Sequence, residues 1–433
     1  MISLERLMSR FDKMAAITAP GLPGINRLAF TDSDWQGREY LMSLMRDARL
    51  SLHVDSFGNV IGRRAGKDES LPAVMFGSHG DSVPSGGNFD GVVGILSAIE
   101  VMQSLDEDDI TTKAPLECVL FMCEESSRFG AATLGSRAMC GELTEEDTLR
   151  YADKNGVTLH DVLMSRGLSP ASLASANYLS YHDALPRAFL EVHIEQGKVL
   201  DTSHEKIGVV TGIAAPTRMR VHIHGSADHS GATPMELRRD GMCAAAEAIL
   251  AVEQSANEAS GIATKKSDDE NNKAAAPASR PPVVGTVGVV EAAPNAMNVI
   301  PGEVTLGIDI RSIDYDAKRA VVDKIKSRID DIMTRRGISY DIEPISDEKP
   351  IVISKEMVDF LSSICEEHGV AYRAMMSGAG HDAMHWAERV PTGMLFIPCR
   401  DGISHNPAES AKPEDIVTAA RLLEDAVKKL GNT

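Results

Sequence analysis

One stretch constrains this chain more than any other: Phe76-Gly-Ser-His-Gly-Asp-Ser-Val-Pro-Ser-Gly-Gly-Asn-Phe-Asp-Gly-Val-Val-Gly94. A short apolar strand over 73–76 leads into it, and the spacing of Val92, Val93, Ile95, Leu96, Ile99 and Val101 predicts a largely buried helix after it. Between them a Gly-rich loop sets down His79, Asp81 and Asp90. A loop between a buried strand and a buried helix is where an α/β protein builds a site. His79 offers a nitrogen ligand, and the two oxygens of Asp90 can bridge two cations. Asp81 is placed to orient the His79 ring, the usual task of a carboxylate behind a metal ligand. A turn in which Asp and Gly only satisfy backbone geometry is equally compatible with this stretch alone.

The rest of the chain supplies the context. At 433 residues it is too long for one typical core, so two domains are expected. A net charge of −19 argues against nucleic acid or an anionic membrane as partner. The N-terminus lacks the apolar core of a signal peptide, and no apolar run approaches membrane-spanning length. The six cysteines are scattered without a CxxC pair, which suits buried thiols in a reducing compartment and a cytoplasmic location.

Residues 1–65 read as two helical stretches and a strand over 53–61. The apolar run 116–123 predicts a buried strand that delivers Glu124 and Glu125 at its end, where adjacent acids are costly unless paired or metal-bound. Another strand begins at residue 188 and places Glu191, His193 and Glu195 on one face, with Gln196 at its end. From about residue 213 the pattern alternates as in a sheet wet on one side. Strands over 217–224, 283–290, 303–310 and 338–343, with helices ending near 253 and spanning 315–336, give a βαββαβ order. The polar, Ala/Pro-rich segment 260–282 reads as a mobile surface insertion. His222 and His224 share a strand face, a spacing that can bind metal, but no carboxylate is expected to accompany them, which argues against it. His381 and His385 have helical spacing, from which we expect a loop-positioning role for His381 and none for His385. A strand over 392–398 precedes His405, and the last helix starts at Pro413.

The fold class is therefore α/β: a catalytic domain, 1–212 and 348–433, with a mixed β-sheet flanked by helices, and a smaller inserted α+β domain, 213–347. The candidate ligands are His79, Asp90, Glu125, His193 and His405, each at a strand end or in the loop after it. Two histidines and a bridging Asp90 suit one zinc. Asp90 with Glu125 and His405 suits a second. Nitrogen and carboxylate donors without thiolates also admit Mn, Co or Ni. Glu124, beside a ligand but free itself, is placed to act as general base.

The motifs GSHGDSVPSGGNFDG, EESSRFG, EVHIEQG, ADHSGATPM, PNAMNVIPGE with DIRS, SGAGHDA and GISHNPAE carry a resemblance to a known family. The chain resembles the hydantoinase/carbamoylase branch of the dinuclear metallohydrolases, over nearly everything from Gly24 to Glu409. The resemblance implies the five ligands above, two divalent cations per subunit, and Glu124 as base. It further implies that Gln196, His229, Asn298, Arg311 and Gly380 contact the substrate, with Arg311 on its carboxylate. Members are usually homodimers in which His229, Asn298 and Arg311 reach the partner's site, so the inserted domain is expected to serve as lid and dimerisation domain. The implied activity is cleavage of the carbamoyl C–N bond of a small N-carbamoyl-L-amino acid. Alternatives are an allantoate amidohydrolase, an N-acyl aminoacylase or peptidase of the wider group, and a non-catalytic binding homologue. Gly80 departs from the family, which often has a bulkier residue there, and a looser metal loop is the expectation.

Overall fold

The computed structural model describes residues 1–261 and 282–433, and thirteen strands run through them. These are β1 (Ser51–Val54), β2 (Val60–Arg64), β3 (Val74–His79), β4 (Leu116–Phe121), β5 (Ala188–Ile194), β6 (Ile207–Ile213), β7 (Ala215–His224), β8 (Val284–Ala293), β9 (Glu303–Ser312), β10 (Ser339–Asp347), β11 (Ile351–Val352), β12 (Tyr372–Ser377) and β13 (Thr392–Ile397). The chain divides into two compact units, one of Met1–Thr211 with Val352–Thr433 and one of Gly212–Ile351. Most of the expected insertion, 262–281, lies outside the described residues.

The larger unit is built on a nine-stranded mixed sheet of order β1-β2-β4-β3-β5-β13-β6-β11, with β12 paired to β6. Its centre is parallel: β3 pairs with β4 and β5, and β13 with β5. Every residue of β3, β4, β5 and β13 is buried, as parallel strands covered on both faces require. The helix Val92–Glu107 is buried along most of its length. This parallel centre puts the C-terminal ends of β3, β4, β5 and β13 along one edge, the edge where open α/β sheets bind ligands.

Two expectations change here. The strand expected over 53–61 is a hairpin of β1 and β2. Asp55 folds the turn, its Oδ1 accepting from the backbone N–H groups of Phe57, Gly58 and Asn59 at 2.9, 2.8 and 3.0 Å. Glu195 lies beyond the end of β5, and its two oxygens instead accept from the N–H groups of Val199 and Leu200, both at 2.8 Å.

The smaller unit has the expected βαββαβ order. Its antiparallel sheet runs β10-β7-β9-β8, accompanied by the helices Gly241–Ala259 and Tyr315–Arg336. Met219, Val221, Ile223, Leu306, Ile308, Ile325 and Ile329 form its core, while alternate residues of β7 are less buried. Carboxylates do reach the β7 histidines: Glu303 and Asp341 flank His224 at 2.7 and 2.9 Å, and Glu343 lies 3.4 Å from His222. They come from β9 and β10, so register rather than local sequence supplies them. Tied to a separate carboxylate on each ring nitrogen, His224 is a cross-strand clip.

Candidate metal centre

The donors expected from the sequence meet at the C-terminal edge of the larger sheet. His79 is the last residue of β3, and its Nδ1 lies 3.2 Å from the Asp81 carbonyl oxygen and 3.5 Å from the Asp81 carboxylate. That leaves Nε2 turned toward Asp90, 3.9 Å from its Oδ1. The same Oδ1 lies 3.0 Å from His193 Nε2, at the end of β5. The other oxygen, Oδ2, lies 2.9 Å from His405 Nε2, which in turn is 3.3 Å from Glu125. The two oxygens of Asp90 thus face two different donor sets, His79 with His193 and Glu125 with His405, each with its ligand atoms within 4.8 Å.

The local backbone is shaped to allow this. Gly91 has φ of 65°, and a side chain there would run into the His79 ring. Cys123, Gln196 and His405 adopt left-handed φ of 57°, 56° and 55°, strained for residues with a Cβ, the first two where the chain leaves β4 and β5. Asp81 does more than orient His79. Its oxygens accept the backbone N–H groups of Glu124 and Glu125 at 3.2 and 3.1 Å, so the loops after β3 and β4 share one anchor. Gly80, the departure from the family, points its missing side chain at Leu41 and Leu120 rather than at the donors. Its carbonyl accepts from the buried Arg27 guanidinium at 2.7 Å, so the loop is braced from behind.

Electrostatics follow from this crowding. Burial pushes the Glu124 carboxyl well up; His79 pulls it back in part, and the negative charges of Glu125, Asp382 and Asp81 add to the rise. Burial lowers the proton affinity of His79, but Glu124, Asp81 and Asp90 reverse it and raise the imidazole well above its ordinary value. Hydrogen bonds to Asp90 and Glu125 hold His405 up at about 10. Burial raises the Asp90 carboxyl, but hydrogen bonds to His193 and His405 outweigh it and leave its pKa well below the ordinary carboxylate range. Five donors loaded with this much opposed charge, without a thiolate among them, suit hard divalent cations. Bonds of about 2.0–2.2 Å to nitrogen and oxygen put neighbouring donors roughly 3 Å apart. His193 with Asp90, and Asp90 with His405, already stand at that spacing.

A third group, Glu191, His193 and His381, also has metal-ligating composition. Its members are engaged otherwise. Glu191 accepts from Ser78 Oγ at 2.8 Å and the Ala383 N–H at 3.1 Å, and His381 pairs with Ser377 Oγ at 2.9 Å. The His381 ring packs edge-on against His193, which is a positioning contact. His385 lies 2.6 Å from Glu142 and 2.8 Å from Thr133, away from the donors.

Of the residues expected to touch substrate, Gln196 is at the donors, its Nε2 donating to Asp90 Oδ2 at 3.0 Å. Gly380 is exposed in the loop after β12. His229, Asn298 and Arg311 belong to the smaller unit. The His229 and Asn298 loops are knitted together, since the Ser230 N–H donates to the Asn298 carbonyl at 3.0 Å and His229 bridges to Val299. Arg311 lies within β9, its Nε and Nη2 donating to Asp309 at 2.8 and 3.2 Å.

One residue escaped the sequence reading. Glu409 is buried, and its Oε1 accepts from the N–H groups of Phe89 and Asp90 at 2.8 and 3.1 Å while Oε2 accepts from Ser404 at 3.0 Å. The only signal in sequence was its place at the end of the motif GISHNPAE.

A mixed sheet that gathers histidines and carboxylates at its parallel strand ends, interrupted by a βαββαβ unit, defines a metallohydrolase. Residues 75–429 match Peptidase family M20/M25/M40, and the chain belongs to that family. It is 39% identical over 428 residues to an uncharacterized hydrolase of Haemophilus influenzae, with 98% of each chain covered. It is 37% identical over 429 residues to an N-carbamoyl-L-amino-acid amidohydrolase of Pseudomonas sp., covering 99% of this chain and 98% of that one. A solved hydantoinase/carbamoylase family amidase from Burkholderia multivorans superposes with a TM-score of 0.87 at 33% identity, covering 100% of this chain and 98% of that one. The chain is an amidohydrolase of this kind.

Proposed function

We propose that this chain hydrolyses the carbamoyl C–N bond of N-carbamoyl-L-amino acids, using two divalent cations held by His79, Asp90, His193, Glu125 and His405. The observation that carries the metal assignment is the division of the Asp90 oxygens between two donor sets. Likeness to the Pseudomonas amidohydrolase over almost the full chain supports the substrate class. When bound, such cations acidify water and polarise the attacked carbonyl.

The chain's own residues do the rest. Glu124, whose Oε2 lies 3.8 Å from His79 Nε2, takes a proton from the attacking water and delivers it to the amino-acid nitrogen as the C–N bond breaks. One water is consumed, and the carbamic acid released separates into CO2 and ammonia. Because burial raises its pKa, Glu124 can hold that proton between the two steps. Gln196, already hydrogen-bonded to Asp90, is placed to orient the ureido group. Gly380, in the loop after β12, is a further contact to the substrate. Arg311 holds the substrate carboxylate across a homodimer interface, with His229 and Asn298 as further contacts to the substrate, and Asp309 fixes the plane of its guanidinium fork.

Product release on Mn- or Zn-loaded protein tests the reading across a panel, read as ammonia from N-carbamoyl-L-amino acids and allantoate and as free amino acid from N-acyl amino acids and dipeptides. Turnover highest on the carbamoyl compounds is expected. A preference for allantoate moves the assignment within the family, and a preference for acyl amino acids or dipeptides overturns it. Exhaustive chelation should abolish turnover and divalent cations restore it; full activity in metal-free protein removes the metal assignment.

A further inference from the structure

A cavity of about 280 Å³ opens in the larger unit between the helix Val199–Ser203 and the start of the helix Pro413–Asn432. Asp415 lines it and is only 5% exposed. Among the described residues, no hydrogen bond or ion pair reaches its carboxylate. Isolated buried carboxylates are costly, and one left without a partner calls for an explanation. The helix dipole favours an acid in a first turn, but the exposed Glu414 already meets that preference in water.

The other charged groups of the cavity divide into the engaged and the free. Asp201 accepts the Asp401 N–H at 2.9 Å, and Glu205 is taken by Arg373 at 2.6 Å. Lys206, Lys412 and Glu414 are exposed, line the same cavity, and make no ion pair among the described residues. Leu200 and Pro398 supply apolar wall. Burial raises the Asp415 carboxyl and the charges of Lys412 and Lys206 pull it back, so both lysines act on it without closing onto it.

Besides the engaged Asp201 and Glu205, the lining of this small, partly apolar cavity presents the buried Asp415, the exposed Glu414 and two exposed lysines, so anionic and cationic groups face one space, as a zwitterion requires. We infer that this cavity is a second ligand site, for a small α-amino acid whose ammonium pairs with Asp415 and whose carboxylate meets Lys206 and Lys412. The site is separate from the metal donors, and the inference stands whichever amide they cleave.

Calorimetric titration of the metal-loaded full chain tests it, with L-alanine, methylammonium and acetate as probes. L-alanine should bind the wild-type chain at a site outside the metal centre that Asp415→Asn, a near-isosteric change that removes the charge, weakens. Affinity at that site should fall roughly tenfold or more, as expected for losing a charged hydrogen bond. Methylammonium should bind more weakly than L-alanine, and acetate should not bind at that site. Lys206→Met with Lys412→Met provides a second arm: it should weaken L-alanine and leave methylammonium unchanged, and it does not depend on Asp415→Asn folding. The same L-alanine affinity at the extra site in wild type and Asp415→Asn, or acetate binding that matches L-alanine, overturns the proposal.

Discussion

Glu409 accepts the backbone N–H of Asp90 at 3.1 Å, joining residues 319 positions apart. Asp90 is the residue whose two oxygens face both donor sets, so the register of the whole centre passes through this bond. Glu409→Ala frees the N–H groups of Phe89 and Asp90 and the Ser404 hydroxyl together. Loss of a carboxylate behind a metal ligand typically costs 10–100-fold in affinity, and we expect a metal-affinity loss of about that size. Metal titration against a competing chelator measures it, and unchanged affinity refutes the role. Gly87→Ala should mimic the effect, because a methyl there collides with the Glu409 side chain.

Sequence reading reached the donors because each follows an apolar run. Phe76 to His79, Phe121 to Glu125, Ile194 and Ile397 to His405 all carry the signature of buried strands ending in groups that cannot remain unpaired. Glu409 has no such signature: its partner is a backbone amide brought close only by the sheet. The β1–β2 turn was hidden for a related reason, since Asp55 within an alternating stretch looks like a solvent-facing strand residue until three amides are seen to converge on it. The short helices and 3₁₀ turns over 134–180 were not read either. Segments of three to seven residues are too short to establish a period. The carboxylates on His222 and His224 depend on cross-strand register, which local spacing does not encode.

Metal binding should be strongly pH-dependent, and His405 fixes the sign. Its folded pKa of about 10 is raised above an unfolded value of about 6.5. The protonated ring therefore stabilises the metal-free fold below that unfolded value, and the contribution is lost as pH rises toward 10. A cation requires the neutral ring and must displace the proton throughout that window. We expect affinity to climb about tenfold per pH unit for each proton displaced. Calorimetry at pH 8 in two buffers of different ionisation enthalpy counts those protons. A binding enthalpy independent of buffer contradicts the assignment of His405 as a ligand.

Glu124→Gln separates the base from the ligands. The substitution keeps the shape, removes one of the crowded negative charges and leaves all five donors intact. Metal content should be preserved while the rate falls on the order of a hundredfold or more. Parallel measurement of bound metal and turnover decides the matter. If rate loss tracks metal loss, Glu124 is a ligand and Glu125 is the candidate base.

Arg311 gives a prediction about assembly. It lies in β9 of the smaller unit, with its fork set by Asp309, whereas every donor lies in the larger unit. If it completes a neighbour's site, Glu124→Gln and Arg311→Ala are each nearly inactive alone but complement one another when mixed. In a mixed dimer one site carries both lesions and the other carries neither. Random exchange makes half of the dimers mixed, so about a quarter of the sites regain wild-type composition. Activity should rise toward that fraction at the rate of subunit exchange, which a fluorescence-transfer assay on labelled chains follows independently. Full exchange without recovery of activity places Arg311 in its own subunit's site or outside any site.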